Sequence, residues 1–405
     1  MPDLTLIAAV AIFIATYAVV AVGKLPVYRI DRAGAALLGG SLMVGTGVLT
    51  AQDAYRAIDF DTITLLLGMM IVVANLRVSG FFRLVTDWIA THVRRPFTLL
   101  VAIVLASGTL SAFLVNDTIC LVMTPLVLEI IVGVRRNPIP YLLAVATASN
   151  IGSVATITGN PQNIIIASLS QIPYGVFAAS LAPVAAIGLV IAVLLIALVH
   201  RGEFFTSEQL EKTVMPTHHH GPLMVKTLLV MAVMIVLFFL GQPVAKVAIV
   251  GGAFLLLTRR VRPQKIYIEI DWPLLVMFAG LFVVVAGVEK TLLTPETVAA
   301  AGHLRLDNTV VLAGVTSLLS NIVSNVPAVL LLKPFVPNLH GNLRGQFHPR
   351  RLHRQSNRCP AGEGARRRDR LLGLFQGRRP VEPRDDPDRA AFAVRVPFQF
   401  FIPWP

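Results

Sequence analysis

Charge is what this sequence has least of. Only 14% of its 405 residues are Asp, Glu, Lys or Arg, 55% are hydrophobic, and the mean hydropathy is +0.72. Soluble domains carry about 25% charged residues, so the composition excludes that class and reads as an all-α polytopic membrane protein. Cysteine is scarcer still. Cys120 and Cys359 give neither a disulfide framework nor a zinc spacing, and no cofactor or metal site is expected. His218, His219 and His220 are consecutive and lack the i, i+4 spacing that places two imidazoles on one helical face, so they read as a solvated loop. Neither HExxH nor GxSxG occurs, which leaves an intramembrane enzyme without support. The opening stretch from Leu4 to Val22 lacks a basic start and a small-residue cleavage site, and it is long enough to span; it reads as a retained first helix.

The excess of positive charge is local. Residues 338–405 hold 14 arginines, no lysine and 6 acids, which accounts for +8 of the net +13. Nucleic acid is therefore not an expected partner; membrane lipid is.

Hydropathy places apolar spans at 4–22, 33–50, 61–76, 97–115, 119–134, 139–170 (interrupted), 181–200, 224–240, 243–258, 272–288, 309–323 and 328–337. Arg94 and Arg95 precede the 97–134 region and Arg135 and Arg136 follow it, so its two arms read as one re-entrant hairpin with both mouths on the basic, inner side.

Two internal matches organise the chain. SAFLVNDTICLVMTP (111–125) matches SNIVSNVPAVLLLKP (320–334) at an offset of 209, and DFDTITLLLGMMIVVA (59–74) matches DWPLLVMFAGLFVVVA (271–286) at an offset of 212. The loop before the first copy of the second match is poor in basic residues; the loop before the second copy carries Arg259, Arg260, Arg262 and Lys265. Corresponding loops fall on opposite sides, the pattern of two inverted-topology repeats whose hairpins meet near the bilayer midplane.

The expected organisation is a first transmembrane helix with its inside loop (1–32), then repeat 1 (33–200) with hairpin 97–134 and broken helix 139–170. A cytoplasmic linker (201–223) leads into an incomplete repeat 2 (224–339) with hairpin 309–337. The last stretch, 340–405, is an aberrant basic tail. Repeat 1 has a glycine- and asparagine-rich break after its hairpin and repeat 2 lacks one. The Arg/Pro/Gly-rich, lysine-free tail stands in its place, with the composition of a gene translated out of frame. Read one base forward, the codons for 346–359 permit a motif of the missing kind. The gene is expected to encode further apolar spans in that frame, and this chain is then expected to be an inactive truncated product; a genuine disordered basic tail is the other reading.

Polar residues at membrane depth mark candidate sites. Asn116, Asp117 and Thr118 form the first hairpin tip, and Ser324 and Asn325 the second. ASNIGSVATITGNPQN (148–163) supplies Asn150, Gly152, Thr158, Gly159, Asn160, Pro161 and Asn163, where an unwound helix would line a cavity. Its free carbonyls and amides suit a sodium ion or proton-linked water, and the helix restarting near Pro161 would turn a positive dipole end toward an anion. For the asparagines the plainer reading is hydrogen bonding between helices, and for Asp117 a protonated or Arg-paired structural acid.

These three motifs, in this order, resemble the ion transporter superfamily: divalent-anion/sodium symporters, citrate transporters, arsenite permeases and related sodium/proton antiporters. The resemblance implies a multi-pass protein of the bacterial inner membrane that moves a small inorganic or carboxylate anion by alternating access. It also implies coupling to sodium or protons, and a homodimer. The symporters carry Ser-Asn-Thr at each hairpin tip. Here Asn116, Thr118, Ser324 and Asn325 match that signature while Asp117, Val326 and Pro327 depart from it, a tip closer to the arsenite-permease branch. In a sodium/proton antiporter of this superfamily Asp117 would be the titrating carrier.

Overall fold

The computed structural model describes residues 4–25, 30–206, 221–257, 261–292, 309–323 and 325–332. Within them the chain forms seventeen α-helices, one 3-10 turn and a two-residue antiparallel ladder pairing Lys24 with Asp31 and Leu25 with Ile30. The His218–His220 triplet, Ser324 and the basic tail lie outside the described residues.

Among the described residues seven helices are long and apolar enough to cross a membrane: α1 (Leu4–Val22), α4 (Phe60–Ser79), α6 (Pro96–Phe113), α7 (Asn116–Gly133), α10 (Tyr174–Val199), α12 (Gly221–Phe239) and α15 (Trp272–Leu292). The shortest have 18 residues, about 27 Å of helix at 1.5 Å per residue, close to the thickness of a bilayer core. Shorter apolar helices complete the bundle: α2 (Arg32–Gly45), α8 (Pro138–Ser153), α9 (Pro161–Ser170), α13 (Val244–Leu256), α16 (Thr309–Val323) and α17 (Asn325–Leu332).

Four more helices occupy stretches that hydropathy reads as loop or as the end of a span: α3 (Ala51–Ala57), α5 (Phe81–His92), α11 (Arg201–Phe204) and α14 (Pro263–Ile268). The 33–50 span ends early, at Gly45, because the chain turns through Gly47 at φ +77° before α3. Gly80, at φ +83°, both closes α4 and opens α5, a left-handed position that glycine takes without steric cost.

The starts of α4 and α15 are built alike. Asp59 accepts from the Asp61 and Thr62 amides at 3.0 and 3.1 Å, and Asp271, 212 positions later, accepts from the Leu274 amide at 3.1 Å. Each carboxylate satisfies donors that the first helical turn leaves free.

Tight crossings hold the bundle, and two of them correspond. In one, α15 lies on α2: a Cβ added to Gly280 would fall 2.4 Å from the Ala36 carbonyl, and one added to Gly40 would lie 3.3 Å from the Gly280 oxygen. In the other, α4 lies on α13: a Cβ on Gly68 would fall 2.5 Å from the Ala248 carbonyl carbon, and one on Gly252 would lie 3.1 Å from the Gly68 oxygen. Adding 212 to Ala36 and Gly40 and subtracting it from Gly280 turns the first set of contacts into the second. Between lipid-embedded helices, backbones this close gain van der Waals packing that any side chain would block.

The ends are cross-tied. Arg77, in the last turn of α4, pairs with Glu269 just before α15; Lys290, in the last turn of α15, pairs with Asp53 in α3, at 2.9 Å, just before α4. The long helices α4 and α15 therefore run antiparallel. The first hairpin has both open ends at the basic end of the bundle. Phe97 at the start of α6 stacks on Phe205 after α11, Arg83 of α5 forks onto Glu129 of α7 with both contacts at 2.9 Å, and Tyr141 of α8 donates to Glu203 at 3.1 Å.

Candidate functional site

The interruption expected in 139–170 falls between α8 and α9, where residues 154–160 leave the helix and pass through a 3-10 turn, Ile157–Gly159. Its cause is local. Pro161 has no N–H and disfavours helical backbone in the residue before it; Asn160 is extended at φ −151°, ψ 157°. Glycine lets the break fold onto itself, since a Cβ on Gly159 would sit 2.1 Å from the Ser153 oxygen, and lets α8 pack on α6, since one on Gly152 would sit 2.1 Å from the Gly108 oxygen.

Opening a helix frees carbonyls that need donors. Asn163 supplies them: its Nδ2 donates to the Ser153, Val154 and Thr156 oxygens at 3.3, 3.4 and 2.9 Å. Asn160 Oδ1 accepts from the Asn163 amide at 2.8 Å, and its Nδ2 donates to Ser153 Oγ at 3.1 Å. Both asparagines are buried and bound within the break, and the first turn of α9 is capped from inside the fold.

The first hairpin turns at Leu114–Val115 and its tip rests on the end of α8. Asn116 Nδ2 donates to Asn150 Oδ1 at 3.0 Å, and Ser111 Oγ donates to the Ser149 carbonyl at 2.6 Å. Asn116 is 7% exposed, and among the described residues its Oδ1 has no hydrogen-bond partner. No side chain caps α7, so the amides of Asn116, Asp117 and Thr118 at its start lack helical acceptors. Asp117 and Asn150 are exposed and Thr118 is half-buried. Asp117 is the one charged side chain among the twelve residues expected at the site.

From the second hairpin, Asn325 accepts from the Ser320 hydroxyl and the Pro327 carbonyl accepts from Tyr17 of α1 at 3.4 Å. Helix α17 packs on α9, so this hairpin meets the C-terminal half of the broken helix while the first meets its N-terminal half, α8. The fold thus gathers the first tip with α8 and the second arm with α9. Thr158 is fully buried, its hydroxyl shared with Thr156 and Tyr174. Ser111, Ser153, Thr156 and Tyr174 join the expected residues; among them only Ser111 carries a sequence signal, its match to Ser320.

An apolar helical bundle with polar hairpin tips set against an opened helix is the build of a membrane transporter. The citrate transporter family (CitMHS) matches this chain over residues 10–351, and the chain belongs to that family. It is 31% identical over 360 residues to a 46 kDa membrane protein of Mycobacterium leprae, an alignment covering 84% of this chain and 82% of the relative. To the silicon efflux transporter LSI3 of Oryza sativa subsp. japonica it is 28% identical over 373 residues, covering 76% and 77%. Among solved structures, the YdaH transporter of Alcanivorax borkumensis aligns over 84% of each chain at 16% identity with a TM-score of 0.47.

Proposed function

We propose that this transporter is a secondary active carrier of a small anion in the inner membrane, coupled to sodium or protons and working by alternating access. One observation carries the reading: a buried amide oxygen, Asn116 Oδ1, without a partner among the described residues, beside an exposed carboxylate and an uncapped helix start, at the junction of hairpin and opened helix. A buried acceptor left unmade costs about 1–3 kcal/mol, so its retention favours a site that a cation or a donor group fills. The positive end of α7 favours an anion next to it. The interchange of the two glycine crossings and the antiparallel course of α4 and α15 support two oppositely oriented halves.

Radiolabelled citrate and arsenite uptake into proteoliposomes, with and without a sodium gradient, tests the reading. Wild-type protein accumulates one of them under one gradient, and Asn116→Leu does not. Accumulation of neither, from this chain or from the gene read one base forward after about codon 340, overturns it. The exposed Asp117 favours a second reading, sodium/proton antiport: Asp117→Asn then abolishes pH-dependent exchange and spares anion uptake.

A further inference from the structure

The sequence treats Tyr174 as an ordinary residue at the start of α10, yet its side chain joins the break to the second half of the molecule. Its ring packs on Phe238 and Phe239 at the end of α12, both at 5.2 Å between centroids, one tilted and one edge-on. Its hydroxyl lies 3.0 Å from Thr158 Oγ1, Thr158 Oγ1 lies 3.2 Å from Thr156 Oγ1, and Thr156 donates to the Ala112 carbonyl in the last turn of α6, beside the first hairpin tip. All three side chains are buried.

Proton counting fixes the direction of this chain. The Ala112 carbonyl only accepts, so the single hydroxyl proton of Thr156 goes to it. Thr156 Oγ1 can then only accept, from Thr158; Thr158 in turn can only accept, from Tyr174. All three protons point toward the hairpin tip, and the order has no freedom left. The backbone oxygen of Thr156 is meanwhile held by Asn163.

We propose that Tyr174 is a positioning residue of the transport site: through Thr158 and Thr156 its hydroxyl sets the first hairpin tip against the break, while its ring registers both against α12. The assignment rests on the transport reading for its purpose, though not for its test. Cys120 lies one turn beyond Asn116 on α7, is partly exposed and forms no disulfide, so its alkylation reports how firmly the tip is held.

The experiment uses the full chain in proteoliposomes with Cys359→Ser, and follows N-ethylmaleimide addition to Cys120 by mass spectrometry. Tyr174→Phe and Thr158→Val each raise the rate about fivefold, the factor one neutral hydrogen bond is worth. Thr158→Ser, which keeps the hydroxyl, leaves the rate at the wild-type value. Tyr17→Phe, which removes a buried tyrosine hydroxyl from a different contact, also leaves it unchanged. Wild-type rates in both Tyr174→Phe and Thr158→Val overturn the proposal, as does an equal rise in Tyr17→Phe, which would mark a general loosening. Because labelling needs no solute, it decides the matter even where citrate and arsenite uptake both fail.

Discussion

Glycine brings backbones together in two parts of this molecule with opposite results. At the α2/α15 and α4/α13 crossings the neighbours of Gly68 and Gly280 are the backbones of intact helices, and the crossings stay closed. Gly152 meets the backbone of intact α6 at Gly108 in the same way, whereas Gly159 closes on the Ser153 oxygen of its own chain, and there Pro161 removes a donor, Asn160 turns extended, and the helix opens. Small residues alone give dense packing. Small residues with a proline and amide side chains give an opening lined with carbonyls, which asparagines then hold in place.

The largest expected effect lies at the closed crossings. Gly68→Ala and Gly280→Ala place a Cβ 2.5 and 2.4 Å from a helix backbone that has no side chain to move aside. Each should cost at least the ~1–3 kcal/mol of an overpacked core, read as a fall in melting temperature in detergent. Gly45, in α2, has open space around its Cβ position, so Gly45→Ala should be neutral or stabilise by about 0.5–1 kcal/mol. Equal losses at Gly68 and Gly280 would sharpen the correspondence between the crossings. A loss at only one would break it.

Next come the asparagines, which look interchangeable in sequence and are not so in space. Asn163→Leu leaves the Ser153, Val154 and Thr156 carbonyls without their donor inside the fold, at about 1–3 kcal/mol for each group left unsatisfied. Asn150 is exposed and, among the described residues, bonds to Asn116 and its own helix; Asn150→Leu strips one acceptor, that of Asn116 Nδ2, so it should lower the melting temperature less than Asn163→Leu while reducing uptake. Similar thermal losses in both variants would erase the distinction between an asparagine that holds the break and one that faces the solute.

Much of this was legible in the residues, for physical reasons. Long apolar runs fix helices because lipid offers the backbone no other partner, so Leu4–Val22 and 309–323 stand as expected, and the break falls inside 139–170 because a Gly-Asn-Pro sequence has no helical alternative. Helix α5 escaped the hydropathy reading because it buries one face only. Phe82, Thr86, Ile89 and Ala90 follow the helical period, while Arg83, Asp87 and Trp88 keep the average low. The crossings left a trace that hydropathy does not weigh: Gly39-Gly40 recurs as Gly251-Gly252 at the offset of 212. The hydroxyl chain through Tyr174 left none, since a tyrosine sixteen residues from Thr158 is brought there only by the turn between α9 and α10.

The smallest expected effect concerns the cross-ties, and its sign follows from one pair. Asp53 is held below the usual carboxylate range, first by its hydrogen bond from Lys290 and then by the Thr50 hydroxyl. A carboxyl with a depressed folded-state pKa stabilises the fold above its unfolded value, near 3.9, and loses that contribution as pH falls through the lower folded value. The pair is exposed, so solvent and salt screen it. Wild type should therefore hold a slight advantage in melting temperature over Lys290→Met in detergent above about pH 5, an advantage that shrinks as pH falls through the lowered folded-state value and that high salt removes. The crossings contain no titratable side chain and should hold across the same range. Equal melting temperatures for wild type and Lys290→Met at every pH would place the tethering force in the glycine contacts alone.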